Sequence, residues 1–568
     1  MTALGSNPQP TRTPPRDHAS EDALLRRIRE GIIGAEASIE GPFGPKPMVY
    51  ADHAASGRSL SFIEHFIESR VLPHYANTHT ETSSTGFQST QLREEARRTI
   101  HACVGGGPDD IVIFAGTGAT GAIDLILAAL NIYIPQDLDR AHGLSEHIPA
   151  EQRPVVFVGP YEHHANEVPW RLSLADVVRI PEREGGGVCL DALEQALARY
   201  ADRPLKIGSF SAASNVTGIL CDDLAITETL HRHGALSFWD YAAAGPYVDI
   251  AMNPTREGVD AKLLTKDAVF ISTHKLVGGP STPGVLVVKR RVLRNTVPHV
   301  PAGGTVSYVS RSGQDFLEDP AHREEGGTPD VVGSIRAGLV FALKAQVGPE
   351  RIRAHEVEVA RRFISTWSTH PGIWVLGELE AERLAILSFA IHHGEGMLHW
   401  SFVVALLNDL FGIQARGGCS CAGPYGHDLF GIDQETSESY RKAIRDGYEG
   451  VKPGWARVSL SYFMSEEELS FIERAVVLVA ELGHRMLPHY HFEPRSGRWT
   501  HRQRPLEARV SLSDFSFDAP AAALTKVPRD FERVLAEARE LMLADQPAPP
   551  ERVVLPDDIE KLRWFPLD

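Results

Sequence analysis

Ser272-Thr-His-Lys-Leu-Val-Gly-Gly-Pro-Ser-Thr-Pro-Gly284 is the stretch that decides how the rest of the chain is read. The apolar run Ala268-Val-Phe-Ile271 before it and the run Val285-Leu-Val-Val288 after it both have the length and β-branched content of buried strands. Lys275 therefore sits on a Gly/Pro-punctuated loop between two core strands, where solvation is poor. Desolvation and cationic neighbours lower a lysine pKa, so the position suits an amine nucleophile. Taken alone, the stretch also fits a surface loop carrying a lysine, and its neighbours decide.

Working outward, each strand signal runs into a loop of polar or small residues. Ile111-Val-Ile-Phe114 leads into Ala115-Gly-Thr-Gly-Ala-Thr-Gly121 and then an apolar helix, a geometry in which free backbone N–H groups and a helix dipole bind phosphate. Val155–Val158 ends at Tyr161-Glu-His-His-Ala-Asn-Glu-Val-Pro-Trp170, Leu205–Phe210 at Ser211-Ala-Ala-Ser-Asn-Val-Thr-Gly218, and Leu236–Trp239 at Asp240. This alternation of strand, loop and helix predicts an α/β fold with a mainly parallel sheet whose loops converge on one edge. Thr120, His163, Asn215, Asp240, Ser272 and His274 would then share a pocket with Lys275. Phosphate donors, an aromatic plate, an acid and an amine are what a pyridoxal-phosphate site requires.

The chain has 568 residues, enough for two domains and tails. Its hydrophobic share of 43% and charged share of 23% are those of a soluble globular protein. Lys+Arg 57 against Asp+Glu 74 gives a net charge of −17, which disfavours nucleic acid or an anionic membrane as partner. Five cysteines make no even disulfide framework, and neither a leader nor an apolar run of about 18 residues is seen, so the expectation is a cytoplasmic protein. Residues 1–20 read as a disordered tail and 21–47 as an N-terminal helix packing on a small domain. Residues 48–335 read as a large cofactor-binding domain, 336–465 as a smaller α+β domain, and 466–568 as an extension of unknown role.

Six motifs in order, Glu162-His-His-Ala-Asn166 with Pro169-Trp170, Ser214-Asn-Val-Thr-Gly218, Asp240, Ser272-Thr-His-Lys275, Gly327-Thr-Pro329 and Arg416-Gly-Gly-Cys-Ser-Cys421, resemble the class V aminotransferases of PLP fold type I. The likeness spans roughly residues 48 to 465 and is nearest to cysteine desulfurases and selenocysteine lyases. It implies a large domain with a seven-stranded-type sheet, pyridoxal 5'-phosphate as cofactor and a homodimer. By that resemblance Lys275 holds the cofactor as an internal aldimine (a Schiff base), Asp240 faces the pyridine nitrogen, His163 stacks on the ring and shuttles protons, and Asn215 bonds the ring hydroxyl. Ala119, Thr120, Ser272 and His274 fall at the phosphate, joined by Thr328 from a second subunit. Arg457 is implied to clamp the substrate α-carboxylate, with Ala54 beside the substrate.

Cys421 occupies the position of the desulfurase nucleophile, whose thiolate takes sulfur from L-cysteine as a persulfide for an acceptor protein. Cys419 reads as a second sulfur handler or as a small buried residue. The Cys-Ser-Cys spacing has no second pair to make a zinc site, so no metal is expected. One departure stands out: the glutamine that desulfurases carry three residues after the aspartate is Ala243 here. An aminotransferase or epimerase acting on another amino acid therefore remains an alternative, as does an inactive PLP-fold scaffold or sulfur-carrier-binding protein.

Overall fold

A computed structural model describes residues 18–78, 80–504, 510–518, 525–547 and 553–567. Of the tail expected over residues 1–20, all but the start of the first helix, α1 (His18–Gly31), lies outside the described residues. The chain continues through α2 (Ser84–Cys103), β1 (Asp110–Ala115) and α3 (Gly118–Ala129). Six further strands follow: β2 (Val155–Val158), β3 (Asp176–Arg179), β4 (Lys206–Ser211), β5 (Leu236–Asp240), β6 (Ala268–Ile271) and β7 (Gly284–Lys289).

These seven strands form one sheet in the order β1-β7-β6-β5-β4-β2-β3. β7 runs antiparallel to both β1 and β6, and the remaining pairs are parallel. Helices cover both faces, which explains why β1, β2, β6 and β7 are apolar at nearly every position and not only at alternate ones. Ser211 pairs with Asp240, and Asp240 with Phe270, so the C-terminal ends of β4, β5 and β6 are level. Because β7 is reversed, its first residue, Gly284, pairs with Ala115 at the end of β1. The Lys275 stretch thus turns at the sheet edge where the other loops emerge.

Beyond the sheet come α4 (Val331–Val347) and α5 (Pro349–Trp367), then β8 (Ile373–Val375), β9 (Ile386–His393), α6 (Trp400–Phe411), β10 (Arg416–Gly418) and β11 (Trp455–Ser459). The second sheet, β8-β9-β11-β10, is antiparallel and packs on α5 and α6. Among the described residues no single helix is long and apolar enough to cross a membrane; α4 and α5 pass that test only as a pair bent by 74°.

The apolar face of α1 does not pack on the second sheet: Ile28, with Leu24, Leu25 and Ile32 around it, joins the core formed by Leu60, Ile63 and Val340 of α4. Only the hairpin after α1, Ser38–Gly41 with Gly44–Pro47, reaches α6, with Phe43 against the second core. Nor does the smaller unit end at residue 465. α7 (Glu466–Leu482) begins with a capping box of Ser465 and Glu468 and buries Leu469, Ile472 and Val476 in the core of the second sheet. The hairpin of β12 (Tyr490–Glu493) and β13 (Arg498–His501), and α8 (Phe531–Leu543), complete that core with Trp499, Leu535 and Met542.

Candidate active site

A cavity of about 210 Å³ opens between the level ends of the large sheet and the strands β10 and β11. Lys275, Asp240, His163, Asn215, Arg457 and Cys421 all line it, as do Ala54, Ala119, Thr120, Ser272, His274 and the apolar Ala243. Thr328 does not; it is exposed on its own loop and accepts a hydrogen bond from Asn77 Nδ2 at 3.2 Å. Cys419 also lies off the wall, packed with Ala422, Tyr425 and Trp455.

Lys275 closes a short turn, Thr273–Lys275, that is locked by the Thr273 hydroxyl donating to Pro283 O. Burial pulls its pKa down to about 8; Asp240 opposes that shift, and Arg457 and Arg416 add to it. Asp240, at the end of β5, has its pKa raised by burial, partly offset by the Ala242 N–H at 2.7 Å and by Lys275. The pair places an amine that loses its proton easily beside a carboxylate in a dry pocket.

His163 accepts a hydrogen bond from Ala165 N–H through Nδ1 at 3.1 Å, so its neutral ring carries the proton on Nε2. Burial, helped by Lys275, lowers its pKa to about 4. The preceding Glu162 fixes this loop: its buried carboxylate accepts from Gly159 N–H, Asn166 Nδ2, Ser211 N–H and Ser211 Oγ. Burial raises the Glu162 pKa to about 7 in spite of these donors.

At the other end of the cavity α3 begins after Thr117, whose side chain makes no cap, and a helix start of this kind can take an anion. Ala119 N–H donates to Ser272 Oγ at 2.9 Å. Gly118 has φ +57, and a Cβ there would lie 2.8 Å from Ser272 Oγ and 3.5 Å from His274, inside the cradle. A side chain at this position would occupy space that the fold keeps clear.

Asn215 donates from Nδ2 to Ser420 O at 2.6 Å, and its own carbonyl accepts from Arg457 Nη1 at 2.7 Å. Its Oδ1 is buried without a partner among the described residues. Ser420 and Cys421 are consecutive non-glycine residues in the left-handed region, φ +49 and +56. Cys421 O accepts from His164 N–H at 2.8 Å, and Gly423 N–H donates to His164 Nε2 at 3.0 Å. The turn that presents Cys421 is therefore tied to the His163 loop from both sides, and Cys421 itself is exposed. Among the described residues, no group of three or more His, Cys, Asp or Glu side chains is placed to hold a metal ion.

The family model described as Aminotransferase class-V matches residues 49–472. The chain belongs to that family. A probable cysteine desulfurase of Halalkalibacterium halodurans is 28% identical over 387 residues, which cover 66% of this chain and 85% of the relative. One of Vibrio cholerae is 27% identical over 81% of this chain and 99% of its own length. Among solved structures, a cysteine desulfurase from Thermococcus onnurineus NA1 superposes with a TM-score of 0.60 at 21% identity, over 77% of this chain and 94% of that one. The Escherichia coli cysteine desulfurase CsdA gives 0.60 at 20%, over 81% and 98%. The fold is thus PLP fold type I, and this class V aminotransferase is a pyridoxal-phosphate-dependent enzyme.

Two members of the site carry little signal in the sequence of this class V aminotransferase. Asp52 lies in a run of small residues that also reads as a plain turn, yet its carboxylate joins Arg457 and Arg416. Glu162 is visible only within the motif around His163. Its role as the anchor of that loop depends on Ser211, which β4 brings in from the neighbouring strand.

Proposed function

We propose that this class V aminotransferase is a cysteine desulfurase that cleaves the C–S bond of L-cysteine and keeps the sulfur on Cys421. The observation that carries the reading is the shared wall: the amine, the buried acid, the arginine and an exposed cysteine face one cavity. The chain's residues fit the cofactor. The uncapped start of α3, the Ser272 hydroxyl and the Gly118 cradle suit a phosphate, and the orphaned Asn215 Oδ1 suits a ring substituent. Bound there, pyridoxal phosphate supplies an electron sink for charge released at the substrate Cα.

Within that arrangement Lys275 would hold the cofactor through Nζ, and Asp240 would face the ring nitrogen. His163, neutral with its proton on Nε2, is suited to relaying a proton. Arg457 would bind the α-carboxylate, a task for a planar donor. The Cys421 thiolate then attacks the sulfur of the bound cysteine. An S–S bond forms as the substrate Cβ–Sγ bond breaks, the bonding pair stays with the carbon fragment, and protonation releases alanine, leaving Cys421 as a persulfide. The exposed Cys421 can pass this sulfur to an acceptor protein.

Support for a homodimer comes from Thr328, which is exposed and off the wall of its own cavity, and from the exposed Val297, Val300, Tyr308 and Val309 on neighbouring segments. A cytoplasmic setting accords with five free cysteines. Ala243 favours a second reading, transamination or epimerisation, because it brings no hydrogen-bonding group to the wall. Replacing Cys421 with Ala separates the two. Sulfide and alanine release from L-cysteine, seen with the unsubstituted protein, should fall to background in the variant while the cofactor absorbance stays intact; undiminished release would remove Cys421 from the chemistry, and no release from either protein would favour the second reading.

A further inference from the structure

Two guanidiniums, Arg416 and Arg457, face the cavity, and a single carboxylate joins them. Asp52 Oδ1 accepts from Arg457 Nη2 at 2.9 Å, and Oδ2 accepts from Arg416 Nε at 3.0 Å. Asp52 is not itself on the cavity wall. Its backbone is pinned to β11, the strand that carries Arg457: His53 N–H and Ala54 N–H donate to Ser459 O and Oγ at 3.3 and 2.8 Å, and Ser459 N–H donates to Ala51 O at 2.7 Å. The carboxylate thus has little freedom relative to the arginine it holds.

Charge around the cavity can then be counted. Arg457 is buried, donates to Asn215 O and Asp52, and keeps a buried Nε without a partner among the described residues. Arg416 is about half exposed, with 47% of its side chain accessible. Two fixed positive charges and one fixed negative charge leave one net positive charge. Lys275 and Asp240, which would hold the cofactor, are the same in parent and variants, and His163 and His274 are neutral near pH 7 because burial lowers both to about 4. A single carboxylate is therefore matched, and a second anionic group would meet no unpaired cation.

We infer that Asp52 is a positioning residue that sets charge selectivity: by holding and neutralising one of two arginine charges, it tunes the cavity to amino acids with one carboxylate and a neutral side chain. The inference deepens the proposed function, since it rests on an amino-acid carboxylate meeting Arg457, but it is independent of Cys421. Asp52 acts through the arginines and does not touch substrate.

The test is a spectral titration of the cofactor-loaded protein with L-alanine and with L-aspartate, neither of which carries sulfur. In Asp52→Asn the affinity for L-aspartate relative to L-alanine should rise on the order of tenfold, the effect of one uncompensated charge in a poorly solvated site. Arg416→Gln alone should weaken both ligands, by roughly tenfold for L-alanine. The double variant Asp52→Asn/Arg416→Gln returns the net charge to its original value and should restore the wild-type preference, which loss of a merely structural contact could not do. An unchanged ratio in Asp52→Asn overturns the inference alone, as does unchanged L-alanine binding in Arg416→Gln should Asp52→Asn fail to fold. A wild-type protein that binds neither amino acid overturns it together with the reading on which it rests.

Discussion

At the scale of single residues, the pocket sets two opposing demands on Lys275. Burial strips solvent from its ammonium and lowers its pKa to about 8, while the Asp240 carboxylate pulls it back up. An ordinary lysine is almost fully protonated at pH 8, whereas this one is about half neutral. Capture of pyridoxal phosphate by the apo-protein should therefore speed up with pH through about 8 and level off above it, as read by the growth of visible absorbance after mixing. Asp240→Asn removes the charge that raises the Lys275 pKa, so the midpoint of capture should move to lower pH. The same variant should lower turnover by roughly 100-fold or more, the scale set by losing a matched ionisable group at a reacting centre. A midpoint unmoved by the substitution would mean that Asp240 does not act on Lys275 at all.

At the scale of elements, the cradle at the start of α3 depends on a glycine. Gly118 has φ +57, and an added Cβ would stand 2.8 Å from Ser272 Oγ, the group that accepts from Ala119 N–H. Gly118→Ala should cost about 1–2 kcal/mol in backbone strain and crowd the phosphate end, so cofactor affinity measured by titrating the apo-protein should fall more than tenfold. A variant that binds cofactor as the parent does would show that the cradle is not the phosphate site. The strands and loops that build this edge were readable because buried parallel strands are short apolar runs and the loops between them are rich in glycine and hydroxyls. The reversal of β7 was not, since Val285–Val288 looks the same in either direction. Asp52 and Glu162 were also hidden, because what defines them is a partner more than 40 residues away in sequence: Arg457 for one and Ser211 for the other. The left-handed turn at Ser420-Cys421 breaks the local preference of both residues and exists only through its ties to His164 and Asn215.

At the scale of the whole molecule, the C-terminal segment finishes the core of the second sheet, a core that also holds Val49 and Ala51, and it does so over a histidine. His399 is buried against Trp564 and Phe565, accepts from Ser401 N–H through Nδ1, and lies 3.1 Å from Gly450 O through Nε2. Burial lowers its pKa to about 3 from an ordinary value of 6.5. A folded pKa below the unfolded one means that between these values the unfolded chain binds a proton that the native chain refuses, so the stabilisation is present above pH 6.5 and is lost as pH falls toward 3. A chain ending at residue 552 loses the buried Phe565 and Leu567 and should be less stable at pH 8. It also uncovers His399, which can then take its proton in the folded state. The stability difference between full-length and shortened chains, read from urea midpoints, should therefore shrink on acidification by up to about 1.4 kcal/mol per pH unit below pH 6. A difference that keeps the same size from pH 8 to pH 5 would mean that the segment contributes packing alone and does not hold His399 neutral.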